Sequence, residues 1–310
     1  MAFEVTRTVR HAPFRLREHL QRLRRSMKSL AIDPQQNAKI IRHLESGGVR
    51  TLLYGGNAVL GHVALSEYES LLAMLESTVA PETLVIPSVG PGYGMMMDQA
   101  RMLSQSRFPT AMLLPTNDPT TSSGLATAFR HFVERFGRPA VLYIKRDGYI
   151  DTDAIRRLMD DGLISWIKYA IVRPEGAEDA ALRAIVDAVG AARVVSGMGE
   201  QPALAHLRND RLAGFTSGCV CIAPRLSSAM LSSLKAGEFE RAEQIRAIFR
   251  PLEALRDAIS PVRVLHAAVE LAGIAGTGPI IPPLAGLNDE GHRQVSEAAT
   301  KLLEAEHARQ

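Results

Sequence analysis

Two residues in this sequence have the types and placement that carbonyl chemistry needs. Tyr143 lies near the end of the apolar run AVLYIK (140–145), and Lys168 near the end of LISWIKYA (163–170). The stretch from Pro139 to Ala170 reads as strand, loop, helix, strand. In a parallel barrel the ends of successive strands open on one face, where active sites sit. A lysine closing an apolar run is poorly placed for a solvated charge. Desolvation lowers its pKa and frees the amine as a nucleophile toward carbonyls. The alternative is a strand-end lysine whose stem is buried and whose charge snorkels to water.

Other motifs carry less. GGN places Gly55, Gly56 and Asn57 at a strand end, where backbone N–H groups converge on an anion such as a carboxylate; ordinary turn chemistry explains the motif equally well. GPGYG (90–94) lacks the spacing of a nucleotide-binding loop and reads as a tight strand-to-helix turn. His62 is a minor acid/base candidate, since lone histidines are more often structural. Asp118, Asp147 and Asp151 read as helix caps or solvated loop charges. There is no H-E-x-x-H, paired-carboxylate or G-x-S-x-G signature, so neither a metal nor a serine hydrolase is indicated. Cys219 and Cys221 are the only cysteines. Strand alternation puts them on one face as near-core thiols, which fits a reducing, cytoplasmic setting.

The elements that must position Tyr143 and Lys168 alternate along the chain. Strands are expected at 51–56, 83–90, 110–116, 140–145, 163–170, 193–199 and 214–223. Helices are expected from Asp33-Pro34 through His43, at 66–77 capped by Ser66, 96–104, 124–136, 151–160, 177–189 and 200–208. Beyond Ala223 only helices follow, at 225–235, 239–259, 261–272 and 289–307, interrupted by the Pro/Gly-rich loop 274–288. Seven strands plus an obscure one near 26–32 make the count of a closed (β/α)8 TIM barrel, an α/β fold, with a C-terminal helical extension; an open doubly wound sheet is the competitor. The expected division is a basic amphipathic N-terminal segment (1–32), a barrel (33–223) and a C-terminal helical region (224–310).

At 310 residues, with 46% hydrophobic and 22% charged residues, the chain has the material for one large core. Residues 1–30 carry +6 of a net charge of +3, so the body sums to −3, which argues against a nucleic-acid partner. Leu16, Leu20, Leu23, Met27 and Leu30 form the stripe of an amphipathic helix whose other face is arginine-rich. It reads as a docking helix, with a transit peptide or nucleic-acid arm as alternatives. No h-region suggests a secretory signal, and no apolar run is long enough to span a membrane.

Roughly from residue 35 to 270 the sequence resembles the N-acetylneuraminate lyase and dihydrodipicolinate synthase family of Schiff-base aldolases. The resemblance is carried by the Tyr of VLYIK (Tyr143), the Lys of SWIKYA (Lys168), VVSGMGE (194–200), and the helical tail from IAP (222–224) through AGEFERAEQIRAIFRPLEAL. It implies that Lys168 forms an imine with pyruvate or another small 2-oxo acid, with Tyr143 shuttling protons. It further implies that Gly55, Gly56, Asn57 and Ala58 bind the substrate carboxylate, that Gly197 and Ser217 line the same pocket, that no cofactor is needed, and that the protein is a homo-oligomer, tetramer or dimer. The sequence departs from the family pattern in three places. GGNAVLGHV contains no threonine where the family usually shows two. PTNDP (115–119) stands where a tyrosine often reaches a neighbouring subunit, leaving Thr116 and Asn117 as polar substitutes. IKRDG follows Tyr143, with Lys145 or Arg146 as a replacement anion contact or a solvated charge. The expected activity is therefore a lyase, synthase or dehydratase on a 2-oxo acid, with a sugar-acid derivative as one candidate. A catalytically impaired family member that binds a small metabolite without imine chemistry is the alternative.

Overall fold

Short apolar runs separated by amphipathic helices dictate a sheet covered on its outer face. The computed structural model describes residues 8–9, 12–13, 33–56, 59–174 and 176–308. A short antiparallel pair, β1 (Thr8–Val9) and β2 (Ala12–Pro13), precedes the main body. Seven parallel strands follow in sequence order: β3 (Thr51–Tyr54), β4 (Leu84–Val89), β5 (Met112–Leu113), β6 (Ala140–Ile144), β7 (Ile164–Tyr169), β8 (Val194–Ser196) and β9 (Gly214–Phe215). Helix α1 (Pro34–Ser46) enters the sheet. The crossovers are α2 (Leu65–Thr78), α3 (Tyr93–Ser104), α4 (Ser122–Phe136), α5 (Thr152–Asp160), α6 (Ala180–Val189) and α7 (Glu200–Asn209). The architecture is a (β/α)8 barrel with a C-terminal helical extension, seven of its strands lying among the described residues. The stretch expected to form the first strand, 26–32, and the leucine-striped helix lie outside the described residues.

Alternation along the strands separates two cores. Ile86, Met112, Val141, Tyr143 and Ala170 face the barrel interior, with Trp166 and Leu53 packed against them. The opposite faces pack against the helices in one large core. The extension comprises α8 (Pro224–Ala236), α9 (Phe239–Ala258), α10 (Pro261–Leu271) and α11 (Asp289–His307). Carboxylates fasten it, one to the barrel helix α7 and one within the extension to α8. Glu253 of α9 accepts the Glu200 and Gln201 N–H groups at 3.1 and 2.7 Å, and Glu306 of α11 accepts the Arg225 and Leu226 N–H groups at 2.9 and 3.0 Å. Each carboxylate thus satisfies the free N–H groups at the start of another helix, where the backbone dipole favours negative charge. Between β9 and β3, α1 packs against the start of α8. Ser228 donates to the Gly47 carbonyl at 3.1 Å, and a Cβ on Gly47 would lie 2.4 Å from the Pro224 ring.

Four local expectations are corrected. Ser66 lies inside the first turn of α2, because Ala64 is the N-cap in extended conformation. Helix α3 starts at Tyr93 rather than near Met96, since Gly90, at φ +86°, turns the chain at once and donates its N–H to Gln99 Oε1 at 2.7 Å. Helix α6 starts at Ala180 rather than Ala177, capped by the Asp179 carboxylate on the Leu182 N–H. Cys219 and Cys221 lie on a 3-10 turn (Cys219–Cys221), not on one face of a strand. There the Ser217 hydroxyl accepts the Val220 N–H at 3.1 Å, a local bond that competes with continuation of the ladder.

Candidate active site

Tyr143 and Lys168 are direct register partners on β6 and β7, each the penultimate residue of its strand, so both side chains enter the C-terminal end of the barrel interior. Lys168 is only 4% exposed. Its Nζ stands 4.4 Å from the centre of the Tyr143 ring, a cation–π contact. Glycines clear the space around it. A Cβ on Gly56 would lie 3.3 Å from Lys168 Nζ and 3.3 Å from Met112 Cε. One on Gly197, just past β8, would lie 2.9 Å from Lys168 Cγ and 2.8 Å from Ala170 Cβ.

Burial and charge act on this amine in the same direction. Desolvation, then the nearby positive charges of Lys145 and Arg256, push Lys168 from 10.5 down to about 8. No carboxylate among the described residues pairs with it. At pH 7 about a tenth of such an amine is neutral, against well under a thousandth of an ordinary lysine. Burial pushes the Tyr143 phenol up to about 12, with Arg256 opposing, so it is a proton donor at neutral pH. Two cavities of about 870 and 830 Å3 reach this end of the barrel, and Tyr143 lines both.

The residues singled out in the sequence divide into three groups. Gly56 and Gly197 meet Lys168, and Gly55, at φ +96°, makes the turn that brings Gly56 there. Asn57 and Ala58 lie outside the described residues. Thr116, Asn117 and Ser217 are not brought to the amine. Thr116 lines the larger cavity, but its hydroxyl serves its own turn, accepting the Asp118 N–H at 3.0 Å and donating to Asp118 Oδ2 at 3.0 Å. Asn117 is exposed. Ser217 donates to Glu200 Oε2 at 2.7 Å, committed to a buried carboxylate. His62 is exposed at the end of a 3-10 turn. Lys145 is exposed and lines the smaller cavity, whereas Arg146 donates to Thr120 Oγ1 at 3.1 Å.

Arg256 was missed. Its buried guanidinium lines the smaller cavity with Tyr143, Lys145 and Gly197, and donates to the Met198 carbonyl at 2.7 Å. Glu253 holds it, with Nη1 3.2 Å from Oε1. The signal was its position: Ala242, Ile245, Phe249, Leu252 and Arg256 form the buried stripe of α9, so a charge there must have a buried partner. Among the described residues no cluster of three His, Cys, Asp or Glu side chains is arranged to hold a metal, and no helix is long and apolar enough to cross a membrane.

No protein-family model and no curated protein matches the sequence. Solved structures do match in fold. A dihydrodipicolinate synthase from Bacillus clausii superposes with a TM-score of 0.76 at 21% identity, over 87% of this chain and 91% of that one. One from Oceanobacillus iheyensis gives 0.76 at 20% identity, over 89% and 91%. A 4-hydroxy-tetrahydrodipicolinate synthase from Methylacidiphilum fumariolicum gives 0.78 at 17% identity, over 90% and 92%. At these identities the likeness establishes the barrel and its helical extension.

Proposed function

We propose that this chain is a divergent Schiff-base lyase of the dihydrodipicolinate synthase and N-acetylneuraminate lyase type, acting on pyruvate or another small 2-oxo acid. The observation that carries the reading is the Lys168 amine, buried beside Tyr143 with no carboxylate partner among the described residues, in space kept open by Gly56 and Gly197. The neutral amine attacks the ketone carbon, and the resulting carbinolamine loses water to give a protonated imine. Breaking a C–C or C–H bond on the carbon adjacent to the former carbonyl carbon sends its electron pair toward the imine nitrogen, leaving an enamine and releasing an aldehyde or a proton. Tyr143, protonated at neutral pH, relays protons to and from the substrate oxygen. The Gly55–Gly56 turn offers backbone N–H groups to the carboxylate. Aldolase, synthase and dehydratase outcomes share this intermediate, and a sugar acid is one candidate partner.

Intact-mass measurement after borohydride reduction with a panel of 2-oxo acids tests the proposal. The expected result is one adduct per chain in the wild type and none in Lys168→Ala. A folded wild type that takes up no adduct from any acid contradicts it. A second reading, a metabolite-binding member without imine chemistry, draws support from Thr116 and Ser217, whose hydroxyls are engaged away from the amine. A thermal shift by a 2-oxo acid without an adduct would favour it.

A further inference from the structure

Ser88 is fully buried, yet its Oγ has no hydrogen-bond partner among the described residues. A hydroxyl in that state forgoes its solvation for nothing in return, and native proteins hold few such groups. Its place in the fold is specific. On β4, Val85 and Val89 belong to the outer core and Ile86 to the inner one, so alternation turns Ser88 into the barrel interior. It is the penultimate residue of its strand, as Tyr143 and Lys168 are of theirs.

The register fixes its neighbours. Tyr54 pairs with Pro87, so the next step along both chains brings Gly55 alongside Ser88. On the other side Ser88 pairs with Met112, whose Cε borders the same space over Gly56 as Lys168 Nζ. The backbone here is held from outside, because the buried Tyr68 hydroxyl donates to the Ser88 carbonyl at 2.9 Å. The strand is anchored while the side chain remains uncommitted.

We infer that Ser88 is a substrate-binding residue whose hydroxyl donates to the carboxylate of the 2-oxo acid seated at the Gly55–Gly56 turn. The inference rests on the proposed imine site and adds to it a recognition group from the neighbouring strand. The turn itself supplies only backbone N–H groups from its described residues, and Ser88 provides a side-chain donor next to them. An anionic acceptor suits this hydroxyl better than a neutral one, since hydrogen bonds to ionised oxygens are roughly twice as strong.

The test compares the full chain with Ser88→Ala, using pyruvate and acetone, a ketone with no carboxylate, as probes. Borohydride adduct formation and thermal shift are both followed against probe concentration. In Ser88→Ala the half-saturating pyruvate concentration should rise about five- to tenfold. Acetone trapping should be unchanged, and the unliganded melting temperature unchanged or higher, because the lost hydroxyl has no partner among the described residues. Equal pyruvate dependence in the two proteins overturns the assignment and leaves the imine standing. A lower unliganded melting temperature with equal losses for both ketones also overturns it, by making Ser88 structural. If the wild type forms no adduct but is stabilised by pyruvate, and less so in Ser88→Ala, the assignment holds and the imine falls. No adduct and no stabilisation by pyruvate in the wild type overturns both.

Discussion

Two buried polar clusters border the same end of the barrel and are built in opposite ways. At the seam of α7 and α9, Glu200 accepts the Ser217 and Ser227 hydroxyls, each at 2.7 Å, and Glu253 caps α7 and pairs with Arg256. Burial raises the pKa of both carboxyls; the charge of Glu200 raises that of Glu253 further, whereas the two serine hydroxyls and a hydrogen bond with Glu253 oppose the rise at Glu200. Every polar group just named has a partner. Inside the barrel, Lys168 has an aromatic face and, among the described residues, no carboxylate, and the Ser88 hydroxyl has no hydrogen-bond partner among them. A closed network stabilises a fold and specifies its geometry. An open one costs stability, and is retained where a ligand completes it.

Removing groups from the two clusters should therefore have opposite signs. Glu253→Ala takes away the cap of α7 and the partner of a buried arginine, and should cost about 3–5 kcal/mol in chemical denaturation. Lys168→Met should instead stabilise the protein at pH 7, by up to about 3 kcal/mol, while abolishing the adduct. The sign follows from the depressed pKa. Below about 8 the lysine is charged in both states and the folded state bears the full desolvation cost; between about 8 and 10.5 only the unfolded state stays charged, and the cost is relieved as pH rises. The advantage of the methionine variant should accordingly shrink across that window, as read from denaturation curves at successive pH values.

Gly197→Ala probes the boundary of the open cluster. Its Cβ would meet Lys168 Cγ and the Tyr169 carbonyl oxygen at 2.9 Å, so the strand or the lysine must shift. A loss of about 1–3 kcal/mol and a slower trapping rate are expected together. The smallest effect belongs to a pair outside both clusters. Arg173 holds Asp147 through two bonds of 2.6 and 2.7 Å, but Asp147 is exposed. Asp147→Asn should change stability by less than about 1 kcal/mol by thermal melting.

The contrast also explains what could be read from the sequence. The barrel is local in origin: apolar runs of strand length alternate with helical stripes, and no distant partner is needed to see them. Lys168 and Tyr143 stood out because a charged or polar group at the end of an apolar run is anomalous where it stands. Glu253 and Arg256 did not, because on a twenty-residue helix rich in Glu and Arg a buried charge looks like its solvated neighbours. Besides each other and Asp257, their partners lie more than fifty residues away, at Met198, Glu200 and Gln201. Ser217, expected in a strand running to 223, lies two residues past the end of β9, and its direction is set by Glu200, which sequence alone does not bring there. Ser88 sits between proline and valine in an ordinary strand, and what distinguishes it is a buried hydroxyl without a partner among the described residues.

The most direct test of the central claim is the pH dependence of adduct formation with pyruvate, mapped to the modified peptide by mass spectrometry. Modification is expected at Lys168, with a rate that rises through a midpoint near pH 8. An adduct on another lysine, or a rate on Lys168 that climbs only toward pH 10.5, would contradict it.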